Sequence, residues 1–212
     1  MANLENGSKK ISESTIKRLS LYYRALSLLE KENYETISSK ELARREKLTP
    51  AQVRKDLSFF GSFGTRGLGY GVVELSSRIA DELGTSRLQP VILVGVGNLG
   101  LALLSYRGFE KEGFEIVAAF DLEPDRSRDK KLSVTIFGMD DMAAFIQKHG
   151  VRMAILTVPA EAAQEVANTL VEYGVMGFLN FSSIVLHVPE EVMVNNVNLA
   201  IELENLSYFI QE

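Results

Sequence analysis

Three glycines at a fixed short spacing follow directly after an apolar run in the middle of the chain. Residues 91–94 predict a buried β-strand, and a helical pattern begins around the last glycine. In such a turn the first glycine allows a tight bend, the second lets a pyrophosphate approach the backbone, and the third lets the helix pack on the strand. The amino end of the helix then faces the phosphates. We therefore expect a dinucleotide to bind here, through Gly95, Gly97, Asn98, Leu99 and Gly100.

An acidic residue ends the next predicted strand, 115–120, and completes this pattern. Asp121 stands 21 residues after Gly100, where a carboxylate accepts hydrogen bonds from the adenosine ribose hydroxyls of a dinucleotide. A carboxylate repels the 2′-phosphate of NADP(H), so the pattern favours NAD(H), although Arg126 and Arg128 lie nearby and weaken that preference. The alternative is that Asp121 is only a turn residue at the end of a strand.

Strand-like and helix-like segments alternate through the rest of this half, which is typical of a Rossmann domain. The segments 134–137, 152–158 and 177–181 predict strands, 139–148 and 160–173 predict helices, and 192–197 is extended. Because the carboxyl ends of parallel strands line the ligand crevice, further contacts are expected at strand ends. These are Thr157, Val158, Pro159, Asn180, Phe181 and Ser182. The helix after the glycine turn is predicted over 99–112, and from it Tyr106 can project toward the nicotinamide.

A second candidate site lies in the amino-terminal half. Ser38 and Thr49 are predicted helix caps, each followed three residues later by Glu or Gln, and they predict short helices over 39–46 and 50–60. Two short helices joined by about three residues make a helix-turn-helix. The second helix exposes side chains that read base edges or bind phosphates in DNA complexes. They are Gln52, Arg54, Lys55 and Ser58.

The segment 61–71 contains too many glycines for a helix and predicts a β-hairpin wing. Its glycines let the backbone lie close to another surface, and Arg66 at the tip can enter a DNA minor groove. Gly64 and Thr65 are the adjoining candidate contacts. The alternatives are a tight turn without a partner and, for the helices, a solvated basic face on a small helical domain.

Charge is distributed unevenly along the chain. Residues 1–89 carry a net +4 and residues 90–212 a net −9, within a total of −5. This asymmetry fits a basic, nucleic-acid-facing half on an acidic body. No apolar run approaches the ~18 residues of a membrane span, the first ten residues lack a signal-peptide pattern, and there is no cysteine. We expect a cytoplasmic protein with no membrane partner and no metal site.

Glycine turns of this kind are common in dehydrogenases, so an oxidoreductase with a helical oligomerisation head is the alternative function. Hydride transfer needs an acid or base beside the substrate hydroxyl and a domain to hold the substrate. His149 lies at a predicted helix end and His187 in an apolar run, where both fit structural roles. Only one short helix follows the dinucleotide fold. The sequence therefore favours a DNA-binding regulator without catalytic residues.

Several blocks of the chain resemble the Rex redox-sensing transcriptional repressors. They are residues 52–67, 95–100, 119–121, 156–159, 179–181 and 202–207. The resemblance implies a homodimer that exchanges its carboxy-terminal helices and binds a palindromic, A·T-rich operator. It further implies that NADH releases the repressor from DNA, whereas NAD⁺ is compatible with binding. By position, Arg54, Lys55, Ser58 and Arg66 match DNA contacts, Tyr106 the tyrosine near the nicotinamide, and Arg24 an arginine of the switch network.

One position departs from the family pattern. Rex proteins usually carry Asp just before the last helix, where it exchanges between that tyrosine and that arginine, and here the residue is Asn198. A neutral amide forms hydrogen bonds with either partner but no ion pair. We expect a switch with a weaker electrostatic bias. Its alternative role is that of a plain helix cap.

The expected organisation is an α/β protein with a winged-helix DNA-binding domain over 1–84 and a linker over 85–90. A Rossmann NAD(H)-binding domain follows over 91–197, and a dimerisation helix over 198–212. The first helix is predicted over 12–31, with an apolar stripe that includes Ile16 and Tyr23. The last helix is also apolar on one side, and it packs on its own domain or exchanges with a partner subunit.

Overall fold

The structure is a computed structural model that describes residues 11–61, 64, 68–127 and 132–210, with residues 126 and 127 described by their backbone alone. The chain divides into two compact units, Met1–Arg87 and Leu88–Glu212. The boundary falls inside the stretch 85–90 that the sequence predicts as a linker. Each unit has its own hydrophobic core.

The first unit is mainly helical. Its elements are α1 (Glu13–Lys31), β1 (Thr36–Ile37), α2 (Ser39–Arg45), α3 (Pro50–Ser58), β2 (Tyr70–Gly71) and α4 (Val72–Glu82). The predicted caps of α2 and α3 are confirmed, since the Ser38 and Thr49 hydroxyls accept hydrogen bonds from the third backbone N–H of each helix.

The core of this unit lies between α1, α3 and α4. Leu19, Leu26, Val53 and Leu75 are fully or almost fully buried in it. The predicted α1 stripe is wrong at two positions: Ile16 is 37% exposed, and Tyr22 rather than the half-buried Tyr23 is the fully buried tyrosine. Both rings are apolar enough for the stripe, and the buried Tyr22 hydroxyl donates a hydrogen bond to Asp56 inside the unit.

The glycine-rich segment contributes an edge to this unit. β2 pairs antiparallel with β1, with Ile37 opposite Tyr70. The described strand of the glycine-rich segment therefore pairs with a strand that precedes α2 and not with another part of the same segment. Residues 62–63 and 65–67 lie outside the described residues, and the predicted hairpin wing falls largely on them. The wing stays a prediction.

The second unit is a parallel α/β fold. Its elements are β3 (Gln89–Val94), α5 (Asn98–Leu104), α6 (Gly108–Lys111), β4 (Phe114–Asp121), β5 (Ile136–Gly138), α7 (Met142–His149), β6 (Met153–Leu156), α8 (Ala160–Glu172), β7 (Gly177–Asn180), β8 (Met193–Asn196) and α9 (Leu199–Phe209). The six strands are parallel in the order β5-β4-β3-β6-β7-β8. The strands that follow β3 are added first on one side of it (β4 and β5) and then on the other (β6, β7 and β8). Such a reversal opens a crevice beside β3, at the carboxyl ends of the strands.

The predicted helix over 99–112 is wrong as one element, because the chain leaves the helix after Leu104 and starts α6 at Gly108. Leu104 and Phe109 both pack in the cluster on one face of the sheet. On a continuous helix, residues five apart point about 140° from each other, so one helix would not direct both side chains into that cluster. The interruption places Tyr106 between two helices.

α9 ends the described chain with an unusual lack of burial. The Asn198 side chain caps it, accepting hydrogen bonds from the backbone N–H groups of Ala200 (3.0 Å) and Ile201 (3.4 Å). No residue of the helix is buried. The large exposed apolar residues of α9, together with Ile210 just after it, are Leu199, Ile201, Leu203, Leu206, Tyr208, Phe209 and Ile210.

Candidate dinucleotide site and DNA-binding surface

Two glycines form the turn at the end of β3, and a side chain at either position would displace neighbouring backbone atoms. Gly95 has a φ of +96°, and a Cβ there would lie 2.8 Å from the Thr157 carbonyl group. A Cβ on Gly100 would overlap the Gly95 carbonyl oxygen and lie 3.1 Å from the Thr157 hydroxyl oxygen. These contacts explain the first and third glycines of the pattern by left-handed geometry and by close helix–strand packing.

The second glycine faces open space. Among the described residues, no atom lies within 4 Å of the place where a Cβ on Gly97 would stand. α5 begins at the next residue, Asn98, so its first unpaired backbone N–H groups follow this opening. The space in front of Gly97 and the helix start are what a pyrophosphate requires.

Asp121 is fixed in place at the end of β4. Its Oδ2 accepts a hydrogen bond from the Val96 backbone N–H (2.6 Å), and its Oδ1 accepts one from the Glu123 N–H (2.9 Å). A carboxylate has about four acceptor positions, so further positions remain for ribose hydroxyls. The carboxylate therefore orders the glycine turn and still presents acceptors to a ligand.

Thr157 ties the neighbouring strand end to the same turn. Its hydroxyl donates to the Gly95 carbonyl oxygen at 2.6 Å, and its backbone N–H donates to the Val94 oxygen at 2.9 Å. The sequence places Thr157 near the dinucleotide only because it lies at the carboxyl end of a predicted strand. Its bond to Gly95 was not predicted and required the β3–β6 pairing to be known.

These residues surround one cavity of about 930 Å³, within the range of ligand pockets. Six of the predicted residues line it: Gly95, Gly97, Asp121, Thr157, Val158 and Pro159. The sequence did not predict the other lining residues, among them Leu122, Glu123, Met139, Asp140, the α8 residues Ala162, Glu165, Val166 and Thr169, and Tyr173 just after α8. The α8 set recurs every three or four residues, so helical periodicity combined with the strand order is the signal that could have found it.

The other predicted cofactor residues lie elsewhere in the second unit. Asn98 and Leu99 are exposed at the start of α5, and Gly100 is buried behind the turn. Asn180 is fully buried, donating to the Ile184 carbonyl oxygen (2.9 Å) and to Asn196 Oδ1 (2.8 Å).

Asn180 is also paired through its oxygen. Its Oδ1 accepts hydrogen bonds from the Ser182 backbone N–H and hydroxyl, and Phe181 packs against the apolar cluster on the sheet. The Asn180 amide is therefore fully used in holding the loop after β7. The structure does not bring Asn180, Phe181 or Ser182 into the lining of the cavity.

Tyr106 is exposed between α5 and α6. Its side chain is 60% accessible, and its ring meets the Phe109 ring edge-to-face with centroids 5.1 Å apart. Of the other predicted switch residues, Arg24 lies on the exposed side of α1 in the first unit, and Asn198 caps α9. Residue 128 and the side chain of Arg126 lie outside the described residues.

The helix-turn-helix presents a polar face on α3. Arg54, Lys55 and Ser58 are exposed. Ser58 lies four residues after Arg54 and three after Lys55, so it is a neighbour of both on the helix surface. Arg54 donates to the Ser39 hydroxyl at the start of α2 (3.2 Å), and the Ser58 hydroxyl donates to the Lys55 carbonyl oxygen (2.7 Å). Exposed Lys55 and Arg54, the latter held by its hydrogen bond to Ser39, both suit contacts with a DNA duplex.

Not all predicted DNA contacts join this face in the described structure. Gln52 is half-buried, and its amide nitrogen donates to Asp56 Oδ1 at 2.7 Å, so this donor is directed inward. Gly64 has a left-handed φ of +82°, with a Cβ position already filled by the Gly69 carbonyl oxygen. Thr65 and Arg66 lie outside the described residues.

Asp56, which the sequence reasoning missed, holds α3 against α1. It is fully buried, and its carboxylate accepts hydrogen bonds from Arg18 Nε (2.6 Å), Arg18 Nη2 (2.8 Å) and the Tyr22 hydroxyl (2.9 Å). Burial opposes the charge, but the hydrogen bonds from Arg18, Tyr22 and Gln52 outweigh it and leave the pKa of Asp56 below its usual value. Burial, followed by the bond to Asp56, raises the pKa of the Tyr22 hydroxyl.

Further cations surround the turn between α2 and α3. Lys40, Arg44 and Lys47 are exposed, and a shallow cleft of about 560 Å³ beside α2 is lined in part by Lys40 and Arg44. Lys40 and Arg44 lie on α2, the first helix of the motif, which crosses the DNA backbone in helix-turn-helix complexes, and Lys47 lies in the turn that follows it. The predicted DNA contacts lie on α3 and in the wing, and the charge run around 40–47 is the signal that would have added these cations.

Two further features concern the part of the chain that the structure describes. No helix there is both long and apolar enough to cross a membrane. No three His, Asp or Glu side chains come together there as a metal site.

Comparisons with known proteins agree along the chain. Residues 10–58 match the family model described as "Putative DNA-binding protein N-terminus", and residues 86–184 match that of the CoA binding domain. The solved structure of RSP in complex with β-NAD⁺ and operator DNA is 36% identical, with a TM-score of 0.88, and the match covers 95% of this chain and 93% of that one. RSP in complex with β-NADH is 35% identical, with a TM-score of 0.84 and 95% of each chain covered.

A curated relative gives the family. The redox-sensing transcriptional repressor Rex of Pelotomaculum thermopropionicum is 43% identical over 199 residues, which cover 94% of this chain and 93% of the relative. A match over 94% of the chain includes residues of both units. The chain therefore belongs to the Rex family of redox-sensing transcriptional repressors.

Proposed function

We propose that this protein is an operator-binding transcriptional repressor that NADH releases from DNA, whereas NAD⁺ is compatible with binding. The observation that carries the proposal is one chain with two sites. A dinucleotide cavity with a fixed acidic residue lies in the second unit, and a basic face on α3 lies in the first. The curated relative from Pelotomaculum thermopropionicum is named as a redox-sensing repressor, and RSP binds β-NAD⁺ with operator DNA and, separately, β-NADH.

The cavity supports NAD(H) as the ligand. The turn gives the pyrophosphate an opening at Gly97, and Asp121 offers the ribose a carboxylate that is already oriented by Val96 N–H. A 2′-phosphate would meet this negative charge, so NADP(H) is disfavoured. CoA and NAD share an ADP moiety, so the match to the CoA binding domain indicates a nucleotide-binding fold without choosing between them.

The α3 face supports double-stranded DNA as the partner. Arg54 is exposed and can form bidentate bonds with a guanine edge, while Lys55 and Ser58 can bind phosphates. The cations Lys40, Arg44 and Lys47 extend the positive surface for the backbone. A protein acting on chromosomal operators works where the DNA is, which for a bacterial repressor is the cytoplasm.

The exposure of α9 supports a homodimer. Leu203, Leu206 and Phe209 are 67%, 61% and 82% exposed, and an exposed apolar patch of this kind marks a surface that another surface covers. A second copy of the chain is the proposed cover, through exchange of α9 between subunits. A dimer also presents two α3 helices, as a palindromic operator requires.

In this proposal the chain couples two equilibria. The reduced and oxidised nicotinamides differ in ring charge and planarity, so NADH releases DNA only if it binds the non-DNA-binding conformation of the dimer more tightly. Tyr106 is the proposed side chain that distinguishes them, with Arg24 and Asn198 as its switch partners. The loss of operator affinity is limited by the ratio of the NADH affinities of the two conformations.

The test is operator binding by fluorescence anisotropy, titrated separately with NAD⁺, NADH and NADPH. We expect a salt-dependent complex that NADH dissociates and NAD⁺ leaves intact, with NADPH much weaker than NADH. A protein–DNA complex that is insensitive to all three dinucleotides would refute redox sensing but would leave the proposed DNA binding intact. Absence of any sequence-specific complex would leave the oxidoreductase as the better alternative.

A further inference from the structure

Gly108, the first residue of α6, is a glycine whose backbone does not require glycine. Its φ lies outside the left-handed region, so any residue can adopt its conformation. A Cβ there would nevertheless overlap the Tyr106 ring at Cζ, Oη and Cε1. The missing side chain therefore provides space for an aromatic ring that lies against the α6 backbone.

The Tyr106 ring is held in this place by few contacts. Its edge-to-face contact with Phe109 has the rings at 86°, and its backbone N–H donates to the Leu103 carbonyl oxygen at 3.1 Å. With 60% of the side chain accessible, the ring can rotate into solvent without opening the core. The seat formed by Gly108 and Phe109 thus selects one position of a side chain that is otherwise free to turn.

We propose that Gly108 is a positioning residue for the redox response, acting through Tyr106. By lacking a Cβ it keeps the Tyr106 ring seated on α6, in the orientation from which the hydroxyl distinguishes NADH from NAD⁺. The inference rests on the proposed function, since it gives Tyr106 the sensing role. It adds that the sensitivity of the switch is set by the residue two positions after the tyrosine.

Alanine at position 108 separates this role from a structural one. The atoms that its Cβ would displace are the outer atoms of a flexible side chain, so the fold can accept the change by releasing the ring. Alanine also favours a helix more than glycine does, so α6 is not weakened. Gly177→Ala is the matched control, because its Cβ would lie 3.5 Å from Met153 Cγ, an ordinary contact.

The first measurement reads the ring directly, in the full-length protein without ligand. Tyrosines are replaced by 3-fluorotyrosine, and the Tyr106 ¹⁹F resonance is assigned by its loss in Tyr106→Phe. We expect Gly108→Ala to shift this resonance toward that of a solvent-exposed ring and Gly177→Ala to leave it in place. An unmoved resonance in Gly108→Ala overturns the inference.

The second measurement reads the switch, as the factor by which NADH raises the operator Kd. Couplings of this kind are on the order of 5- to 150-fold. We expect the factor to fall toward one in Gly108→Ala and to keep its wild-type value in Gly177→Ala. Operator affinity without dinucleotide should stay unchanged in both variants.

A double variant makes the mechanism specific. If Gly108 acts only through the Tyr106 ring, then Gly108→Ala has no further effect in a Tyr106→Ala background. In that background the ring is gone, so the new Cβ at position 108 displaces nothing. An equal loss of switching or of thermal stability in both backgrounds overturns the inference in favour of a structural role. Wild-type protein that ignores NADH defeats the proposed function and the inference with it, whereas a responsive wild type and an equally responsive Gly108→Ala defeat the inference alone.

Discussion

Replacement of Asp56 tests whether one buried carboxylate holds the recognition helix in place. Asp56→Ala removes the acceptor of four hydrogen bonds, two from Arg18 and one each from Tyr22 and Gln52. Arg18 is 20% exposed and can regain some water, but the Tyr22 hydroxyl is buried with its side chain. The change therefore leaves one buried donor and one partly buried cation without a partner.

The size of the effect follows from these burials. Removing one partner of a buried ion pair costs about 3–5 kcal/mol, of which an unsatisfied buried hydroxyl alone accounts for about 1–3 kcal/mol. We expect the free energy of unfolding of the first unit to fall by about 3–5 kcal/mol in Asp56→Ala. Asp56→Asn keeps an acceptor but loses the charge, so its loss should be smaller.

The assay is urea unfolding followed by far-UV circular dichroism, because the chain has no tryptophan to report by fluorescence. Asp81→Ala is the matched control, since Asp81 is exposed near the end of α4 and surface changes usually stay within about 0.5 kcal/mol. A loss below about 1 kcal/mol in Asp56→Ala would refute the reasoning. Below its unfolding temperature, the same variant should also bind operator more weakly, because α3 is no longer tied to α1.

The pH dependence has a definite sign. The folded-state pKa of Asp56 lies below its usual value, so the stabilisation by this carboxylate is present above the unfolded pKa near 3.9 and is lost as the pH falls through the folded pKa. Acid unfolding of the wild type should therefore show a contribution that Asp56→Asn lacks. Equal acid sensitivity in both proteins would contradict the assignment.

Four further changes test the other parts of the proposal. Asp121→Ser should weaken NADH binding about tenfold or more, because a charge-assisted hydrogen bond is lost, and should narrow the preference over NADPH in calorimetric titrations. Lys55→Ala should lower the slope of log Kd against log salt by about one while leaving base preference unchanged. Leu206→Glu should raise the dimer dissociation constant at least about 30-fold in sedimentation experiments, and an unchanged constant would remove α9 from the interface. Asn198→Asp should increase the ratio of the NADH and NAD⁺ effects on operator affinity, and an unchanged ratio would leave Asn198 as a helix cap only.

Local patterns in the sequence were sufficient for the elements that depend on local chemistry. The caps Ser38 and Thr49 were predicted because Ser and Thr satisfy free N–H groups at a helix start whatever surrounds them. The glycine turn was predicted for the same kind of reason, since Gly95 and Gly100 have roles that a strand–turn–helix imposes by itself. The family resemblance then added the homodimer, the palindromic operator and the direction of the NADH response.

Other features depend on which elements meet, and no local pattern contains that information. Asp56 looked like one more polar residue of α3, and only the packing of α1 against α3 revealed its pairing with Arg18 and Tyr22. The helix break before Gly108 likewise follows from two apolar side chains sharing one face of the sheet.

The sequence by itself determined the fold class, the two sites and their residue chemistry, because capping, turn geometry and helical periodicity act over a few neighbouring residues. Only the tertiary structure decided that the α8 side chains line the cavity while Asn180 holds a loop. The same holds for the Tyr106 ring, whose seat depends on the absence of a side chain at Gly108. These features require distances between elements, and side-chain packing fixes such distances only when the whole unit is assembled.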